Sequence, residues 1–147
     1  MSEIDSHKFA CAVAQFLDDK LAKDITILNI SNVSSLADYF VIATGDSTPQ
    51  VKALMETVKD KVKTVFSRLP IRQENDVKNR WNLLDYGDVV VHILHKEERE
   101  TYAIEKFWSH AYSVLEDEWR EVAKNIVNIK NNGFKSWFNP AFIFLNI

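Results

Sequence analysis

The sequence is poor in cysteine and glycine, and these shortages exclude several kinds of site. Cys11 is the single cysteine in 147 residues, which excludes an internal disulfide, a C-x-x-C zinc pair and a cysteine-ligated cluster. Gly45, Gly87 and Gly133 are too widely separated for a G-x-G-x-x-G turn or a Walker loop. Cys11 has no evident activating neighbour, so we expect it to be a small buried apolar residue.

The chain also lacks long apolar runs and any excess of positive charge. Its longest apolar stretches have the length of a strand, well short of the roughly 20 residues that cross a bilayer. The start, Met1 to Asp5, is acidic and polar, unlike a signal or transit peptide. A net charge of −3 disfavours general binding to a phosphate backbone. The length of 147 residues predicts one domain, and its 46% apolar content is typical of a globular one. Because no targeting or membrane-spanning pattern is seen, we expect the protein in the cytoplasm.

The spacing of apolar residues predicts helices and strands in an order that indicates a layered fold. Helices are predicted over 6–20, from Pro49 to Phe66 and over 97–111, the last either continuing to about 130 or breaking near Tyr112. Strands are predicted over 24–30, 39–44, 81–86 and 88–94, with a further short strand opening at Ile71. This order favours an α/β or α+β domain, with a single mixed sheet and flanking helices.

The two strands around Gly87 are the most informative segment of the sequence. The short gap predicts an antiparallel pair with a tight turn at Tyr86–Gly87. Alternation gives the second strand one apolar face, made of Val89, Val91 and Ile93. The opposite face mixes polar and apolar residues: Asp88, Val90, His92 and Leu94. Such a mixture is typical of a protein-binding patch, and equally of an amphipathic strand beneath a helix.

Charge is distributed unevenly along the chain. Residues 52–80 contain eight basic and four acidic residues, whereas residues 81–121 contain four basic and ten acidic residues. Runs of this kind often form solvated helix faces. The acidic run includes the hairpin, and we therefore expect a basic partner for that region.

Two segments resemble a known family. The runs Asp38-Tyr-Phe-Val-Ile-Ala-Thr-Gly45 and Trp81-x-Leu-Leu-Asp-Tyr-Gly-Asp-Val-Val-Val-His-Ile93 are similar to the ribosomal silencing factor family, also called Iojap-related. The match continues at Ser47, Arg99, Tyr102, Glu105 and Trp108, and it covers roughly residues 8–112.

The resemblance implies both a fold and a function. The implied fold is an α/β domain of nucleotidyltransferase-like topology without established catalysis. The implied activity is binding to the large ribosomal subunit through its fourteenth protein, which blocks joining of the small subunit and represses translation when nutrients are limiting. Organelle members of the family act in ribosome biogenesis.

The sequence departs from the family pattern in two places. The segment 74–80 before Trp81 has no glycine, where family members usually carry one. Residues beyond about 112 lie outside the pattern. We therefore divide the chain into a silencing-factor-like domain, 1–112, and a helical, aromatic-rich C-terminal extension, 113–147. The five aromatic residues of the last fourteen are expected to dock on the domain or to form a homodimer.

The hairpin and the resemblance together predict the residues in or beside the surface that binds the ribosomal protein. These are Trp81, Leu84, Asp85, Tyr86, Asp88 and His92, flanked by Arg99 and Tyr102. Asp85 and Asp88 are expected to pair with basic residues, so charge reversal there should weaken binding, while Trp81 and Tyr86 supply anchors. Two structural roles remain open: Trp81 as a core residue and Asp85 as the cap of the turn at Gly87.

Other function classes are less well supported by the sequence. Gly45-Asp46-Ser47 with Asp85 and Asp88 resembles a nucleotidyltransferase site, but Gly87 interrupts the carboxylate pair. We expect no catalysis and no cofactor. His92 and His95 point to opposite faces of a strand, so no shared metal site is expected. The basic helix at 52–68 leaves open a minor contact with ribosomal RNA, as in a biogenesis factor, and no membrane contact is expected.

Overall fold

The computed structural model describes residues 4–126, which form one six-stranded mixed sheet with helices on both faces. The helices are α1 (Ser6–Asp19), α2 (Thr48–Phe66), α3 (Lys96–Tyr102), α4 (Ile104–Phe107) and α5, which is helical over 116–126. The strands are β1 (Lys23–Asn29), β2 (Tyr39–Gly45), β3 (Arg72–Asn75), β4 (Trp81–Asp85), β5 (Val89–His95) and β6 (Tyr112–Val114). In this part of the chain no helix is long and apolar enough to cross a membrane.

The two long helices begin where the sequence predicts. The Asp5 side chain accepts a hydrogen bond from the Lys8 backbone N–H at 2.8 Å and caps α1. Ser47 caps α2 in the same way, with Pro49 in the first turn. The predicted bounds of both helices agree with the structure to within one residue: α1 ends at Asp19 rather than at residue 20, and α2 begins at Thr48 rather than at Pro49.

The sheet has the strand order β3-β4-β5-β2-β1-β6. The central strands β2 and β5 run parallel, and every residue of both is buried. The neighbouring pairs are antiparallel, including the predicted β4–β5 hairpin, in which Leu84 lies opposite Val91. The predicted single mixed sheet with flanking helices is confirmed. The further short strand predicted to open at Ile71 is the exposed edge strand β3, which begins at Arg72.

The sheet has an apolar cluster on each face. The larger one packs against α1 and α2 and contains Val89, Val91 and Ile93, as the alternation predicts. The smaller one, on the opposite face, contains Val90 and Leu94 of β5 together with Leu28, Ile30, Ala37, Phe40, Ile42 and Ile104. The mixed face of β5 is therefore the floor of a second core.

The predicted continuous helix over 97–111 is wrong. α3 ends at Tyr102, and Ala103 adopts the left-handed conformation with φ 44° before α4 begins. This turn buries Ile104 in the smaller cluster and leaves Phe107 exposed. Apolar spacing alone does not distinguish one helix from two short helices around a left-handed residue, because both bring the same positions to the sheet.

The chain breaks near Tyr112, which is one of the two predicted alternatives. β6 pairs with β1, placing Val114 opposite Ile27. The predicted domain division after residue 112 falls within β6. Trp119 and Ala123 of α5 are buried in the larger cluster. The predicted helix end at about 130 and the aromatic residues of the C-terminal extension lie outside the described residues.

Two side-chain contacts attach α5 to α1. His7 Nε2 lies 3.0 Å from Glu118 Oε2, and Arg120 donates to both oxygens of Asp18 at 2.8 and 3.0 Å. His7 and Asp18 lie at opposite ends of α1, whereas Glu118 and Arg120 are only two residues apart. α5 therefore crosses α1 rather than running along it, with Trp119 between the two pairs.

Cys11 is buried in α1, as the sequence predicts. Burial, reinforced by the nearby Glu118 and Asp5 carboxylates, raises the pKa of its thiol to about 12. The thiolate is the reactive form of cysteine, so this residue acts as an apolar packing group at neutral pH.

Candidate protein-binding site

Six rings form a continuous row on the sheet face opposite α1 and α2. In order they are Tyr102, Trp81, His92, Phe40, Trp108 and Phe107, and successive ring centroids are 4.7–6.1 Å apart. Tyr102 and Phe107, at the two ends of this aromatic row, are 56% and 80% exposed. The row thus runs through the second core and emerges at the surface on both sides.

Strand alternation and the break between α3 and α4 produce this arrangement. Trp81 of β4, His92 of β5 and Phe40 of β2 point to the same face because their positions in the paired strands are in phase. The left-handed residue Ala103 separates Tyr102 from Phe107 and directs the helical rings to opposite ends.

A hydrogen bond orients the most prominent ring of the row. The indole Nε1–H of Trp81 donates to Nδ1 of His92 at 3.2 Å. Burial lowers the pKa of His92 to about 4, against the weaker opposing influence of Asp85, so the imidazole is neutral at pH 7. The ring proton then lies on Nε2, which has no hydrogen-bond partner among the described residues.

The two predicted rim carboxylates have partners within the protein. Asp85 accepts a hydrogen bond from the Gly87 backbone N–H at 2.8 Å, so it does cap the turn. Asp88 lies 2.8 Å from Arg68, whose guanidinium also covers the ring of Phe9. Both carboxylates remain partly exposed and can still contribute to the local potential.

Leu84 and Tyr86 lie on the other side of the sheet. Both are buried in the larger cluster, where Tyr86 packs edge-on against Phe9 with ring centroids 5.3 Å apart. Burial raises the pKa of the Tyr86 hydroxyl to about 12. The structure therefore does not bring these two side chains together with Trp81, since alternate residues of β4 face opposite ways.

Arg99 ties α3 to the sheet. Its side chain is only 10% exposed and donates to Thr44 Oγ1 at 2.7 Å and Thr26 Oγ1 at 3.0 Å, besides pairing with Glu105. Although burial opposes ionisation of Glu105, the hydrogen bonds from Arg99 leave the pKa of that carboxyl below its ordinary value. Arg99 therefore fixes the position of the segment that carries Tyr102.

A groove of about 760 Å³ lies beside the exposed end of the aromatic row. Trp81, Leu83 and Tyr102 form its apolar part, and Glu74, Asp76, Lys78, Arg80 and Glu98 are its charged lining residues. Sequence reasoning missed all of these except Trp81 and Tyr102. The sequence pattern could have predicted two of the missed residues. Alternation in β4 places Leu83 on the face of Trp81, and Glu98 lies one helical turn before Tyr102.

A larger cleft, of about 880 Å³, lies between α3 and α5. Many of its charged side chains are already paired with one another, Arg120 with Asp18 and Glu116, and Arg99 with Glu105. The cleft therefore offers little unpaired charge of one sign to a ligand.

One group of side chains has the spacing of a metal site. The nearest ligand atoms of His95, Glu97 and Glu98 lie within 4.8 Å of one another. Arg80 donates to Glu97 and Glu98 at 2.7 Å each, and His95 Nδ1 accepts from the Glu97 backbone. Both carboxylates of this cluster are therefore already engaged by one guanidinium.

Comparison with known proteins identifies the family. The family model described as "Ribosomal silencing factor during starvation" matches residues 3–135. The chain belongs to the ribosomal silencing factor family. The resemblance found in the hairpin is therefore confirmed, and the matched span extends past the residues that carry that resemblance.

Three relatives illustrate the range of this ribosomal silencing factor family. Ribosomal silencing factor RsfS of Bacillus subtilis is 43% identical over 94 residues, which is 64% of this chain and 79% of the relative. A crystal structure of a Chromobacterium violaceum protein matches with a TM-score of 0.69 at 35% identity, covering 72% of this chain and 88% of that one. Mitochondrial assembly of ribosomal large subunit protein 1 of Mus musculus is 29% identical, over 66% of this chain and 43% of the relative.

Proposed function

We propose that this silencing factor binds the large ribosomal subunit through the subunit's fourteenth protein and sterically blocks joining of the small subunit. Translation would then be repressed under nutrient limitation. The name of the Bacillus subtilis relative supports the silencing role, and that of the mouse relative supports the large subunit as the site of action. The observation that carries the choice of surface is the aromatic row, which is exposed at both ends.

The residues predicted from the sequence take different roles in this proposal. Trp81 and Tyr102 contact the partner directly, and Asp85 and Asp88 contribute negative potential at the edge. His92 orients Trp81 from below through its Nδ1 atom. The buried residues Leu84 and Tyr86, together with Arg99, support the surface without reaching the partner.

The charge of the region fits a basic partner. Residues 81–108, which contain five of the six rings of the aromatic row, carry six acidic and three basic residues. Complementary charge accelerates association and selects the orientation of docking more than it adds to affinity. A ribosomal protein with a basic surface would meet both the aromatic anchors and this negative field.

The proposed mechanism requires no chemistry. A bound domain occupies surface that the small subunit needs, and no covalent bond changes. The relatives are named as silencing factors, and Asp85 and Asp88, the carboxylates nearest to a nucleotidyltransferase pattern, are engaged by Gly87 and Arg68. We infer a regulatory binding protein rather than an enzyme.

A minor contact with ribosomal RNA fits one feature of α2. Lys52, Lys59 and Lys63 are seven and four residues apart, which places them on one flank of the helix. Such a contact would accompany large-subunit assembly, the role in the name of the mouse relative. Steep salt dependence of binding to naked ribosomal RNA would support it.

Sucrose-gradient sedimentation with purified subunits tests the main proposal. The wild-type protein should move with the large subunit and reduce the fraction of joined ribosomes. Phe107→Ser should lose much of this effect, whereas Leu21→Ser, a matched control 77% exposed outside the aromatic row, should keep it. Sedimentation of the folded wild-type protein only at the top of the gradient would contradict the proposal.

A further inference from the structure

The groove beside Trp81 combines aromatic walls with open access to solvent. The rings of Trp81 and Tyr102 are 4.9 Å apart and tilted by 54°, so they form a wedge. Leu83 extends the apolar wall, and more than half of the Tyr102 surface is exposed. Faces of aromatic rings attract cations, and tryptophan and tyrosine do so most effectively.

The charged residues of the groove leave an unpaired negative group. Arg80 is neutralised by Glu97 and Glu98, each at 2.7 Å. Asp76 accepts the Arg80 backbone N–H at 3.0 Å through one oxygen, and it forms no ion pair with any residue in the described range 4–126. Its other oxygen is therefore a free acceptor in the same groove as the aromatic wedge.

We propose that this groove receives an arginine side chain of the basic protein to which the silencing factor binds. This inference rests on the proposed function and adds the chemical group that is recognised. The planar guanidinium stacks on the Trp81 and Tyr102 rings, while its N–H groups donate to Asp76. A lysine ammonium would gain the charge interaction but would not match a planar stack with several directed donors.

Lys78 makes the sign of the ligand charge testable. It lines the groove, is exposed and has no ion-pair partner within the described residues. A bound cation is repelled by Lys78 and attracted by Asp76, whereas a bound anion would show the opposite preferences. Opposite charge changes at these two positions therefore give opposite predictions for the two ligand classes.

The first experiment measures affinity for purified large subunits by sedimentation over a range of protein concentrations. Asp76→Asn, which preserves the acceptor for the Arg80 N–H, should weaken binding by roughly threefold to tenfold. Lys78→Glu should tighten binding. Tyr102→Phe should bind like the wild type, whereas Tyr102→Leu should bind less tightly, because leucine is apolar but has no ring. Asp60→Asn on α2 is the matched control and should have no effect.

The second experiment examines the groove without the ribosome. The Trp81 indole N–H signal, assigned with Trp81→Phe, is followed by NMR during titration with capped arginine, capped lysine and capped citrulline. Arginine should shift the signal at millimolar concentration, and its neutral isostere citrulline should not. Equal responses to arginine and citrulline, or to arginine and lysine, overturn the assignment of a guanidinium.

The two experiments separate failure of this inference from failure of the proposed function. If the wild type binds large subunits but Asp76→Asn, Lys78→Glu and Tyr102→Leu all bind equally well, the groove assignment is wrong and the proposed function stands. If the wild type does not bind large subunits, the proposed function is wrong. The NMR titration then still decides whether the groove binds a guanidinium.

Discussion

The indole N–H of Trp81 donates to Nδ1 of His92 across the β4–β5 pair, at 3.2 Å. This bond fixes the neutral imidazole in the tautomer that carries its proton on Nε2. It also holds the Trp81 ring against Tyr102, at the end of the aromatic row that is open to solvent. A buried residue thus sets the orientation of a surface residue.

The Trp81–His92 bond should contribute measurably to stability. We expect Trp81→Phe and His92→Leu to couple by about 1 kcal/mol in a double-mutant cycle, because either change leaves its partner without a hydrogen bond. Urea denaturation of the wild type, both single variants and the double variant gives the coupling. His92→Gln retains a hydrogen-bond acceptor, so its coupling free energy with Trp81→Phe should be smaller. If the effects of Trp81→Phe and His92→Leu are additive, the hydrogen bond makes no net contribution to the free energy of unfolding.

Acid should destabilise the protein through His92. Its pKa is about 4 in the folded protein against an ordinary value of 6.5, so the unfolded chain takes up the proton first as the pH falls. The contribution of neutral His92 is complete above pH 6.5 and is lost progressively between pH 6.5 and 4, up to about 3 kcal/mol. The free energy of unfolding should fall less steeply over this range in His92→Leu. If the free energy of unfolding of His92→Leu falls with pH as steeply as that of the wild type, protonation of His92 is not the cause of the acid destabilisation.

Gly87→Ala should destabilise the hairpin turn. Gly87 has φ +93°, which a side chain rarely tolerates, and an added Cβ would lie 2.9 Å from Ile71 Cδ1. Because the Ile71 side chain is exposed and can move away, the main cost is the backbone strain of alanine at positive φ. We expect the free energy of unfolding, measured by urea denaturation, to fall by about 1–2 kcal/mol. The loss should persist in an Ile71→Ala background. Its disappearance there would assign the effect to the contact instead.

Trp119→Ala should cost about 3–5 kcal/mol, as is typical for a large aromatic residue in a core. Trp119 is almost fully buried against α1, although it lies beyond the residues that carry the family resemblance. Leu115→Ala, at an exposed position just before α5, is the control and should change the free energy of unfolding by less than about 0.5 kcal/mol. Similar small effects for both variants would mean that α5 adds little to the domain.

Much of the fold follows from local signals in the sequence. Asp5 and Ser47 are caps whose side chains accept the expected backbone hydrogen bonds, and they mark where α1 and α2 begin. An almost continuous apolar run over 39–44 identifies a strand buried on both faces. Gly87 between two β-rich runs identifies the hairpin. In each case the deciding interaction joins residues that are close in sequence.

The features that were not predicted depend on distant contacts. Nothing local distinguishes Ala103, whose left-handed conformation follows from burial of Ile104 in the second core. β6 is only three residues long, and its assignment depends on its pairing with β1. The candidate site was located only in part for the same reason: alternation separates Leu84 from Trp81, but it does not reveal that Ile104 of α4 packs into the second core.

The crossing of α1 by α5 has a consequence for synthesis of the chain. Asp18 and Arg120, which join these helices, are 102 residues apart in sequence. α1 leaves a translating ribosome well before α5, and it therefore keeps part of its apolar surface uncovered until Trp119 and Ala123 have emerged. Chains released early would display that surface to chaperones and proteases. Completion of the fold therefore distinguishes copies that contain α5 from those whose translation stopped before it.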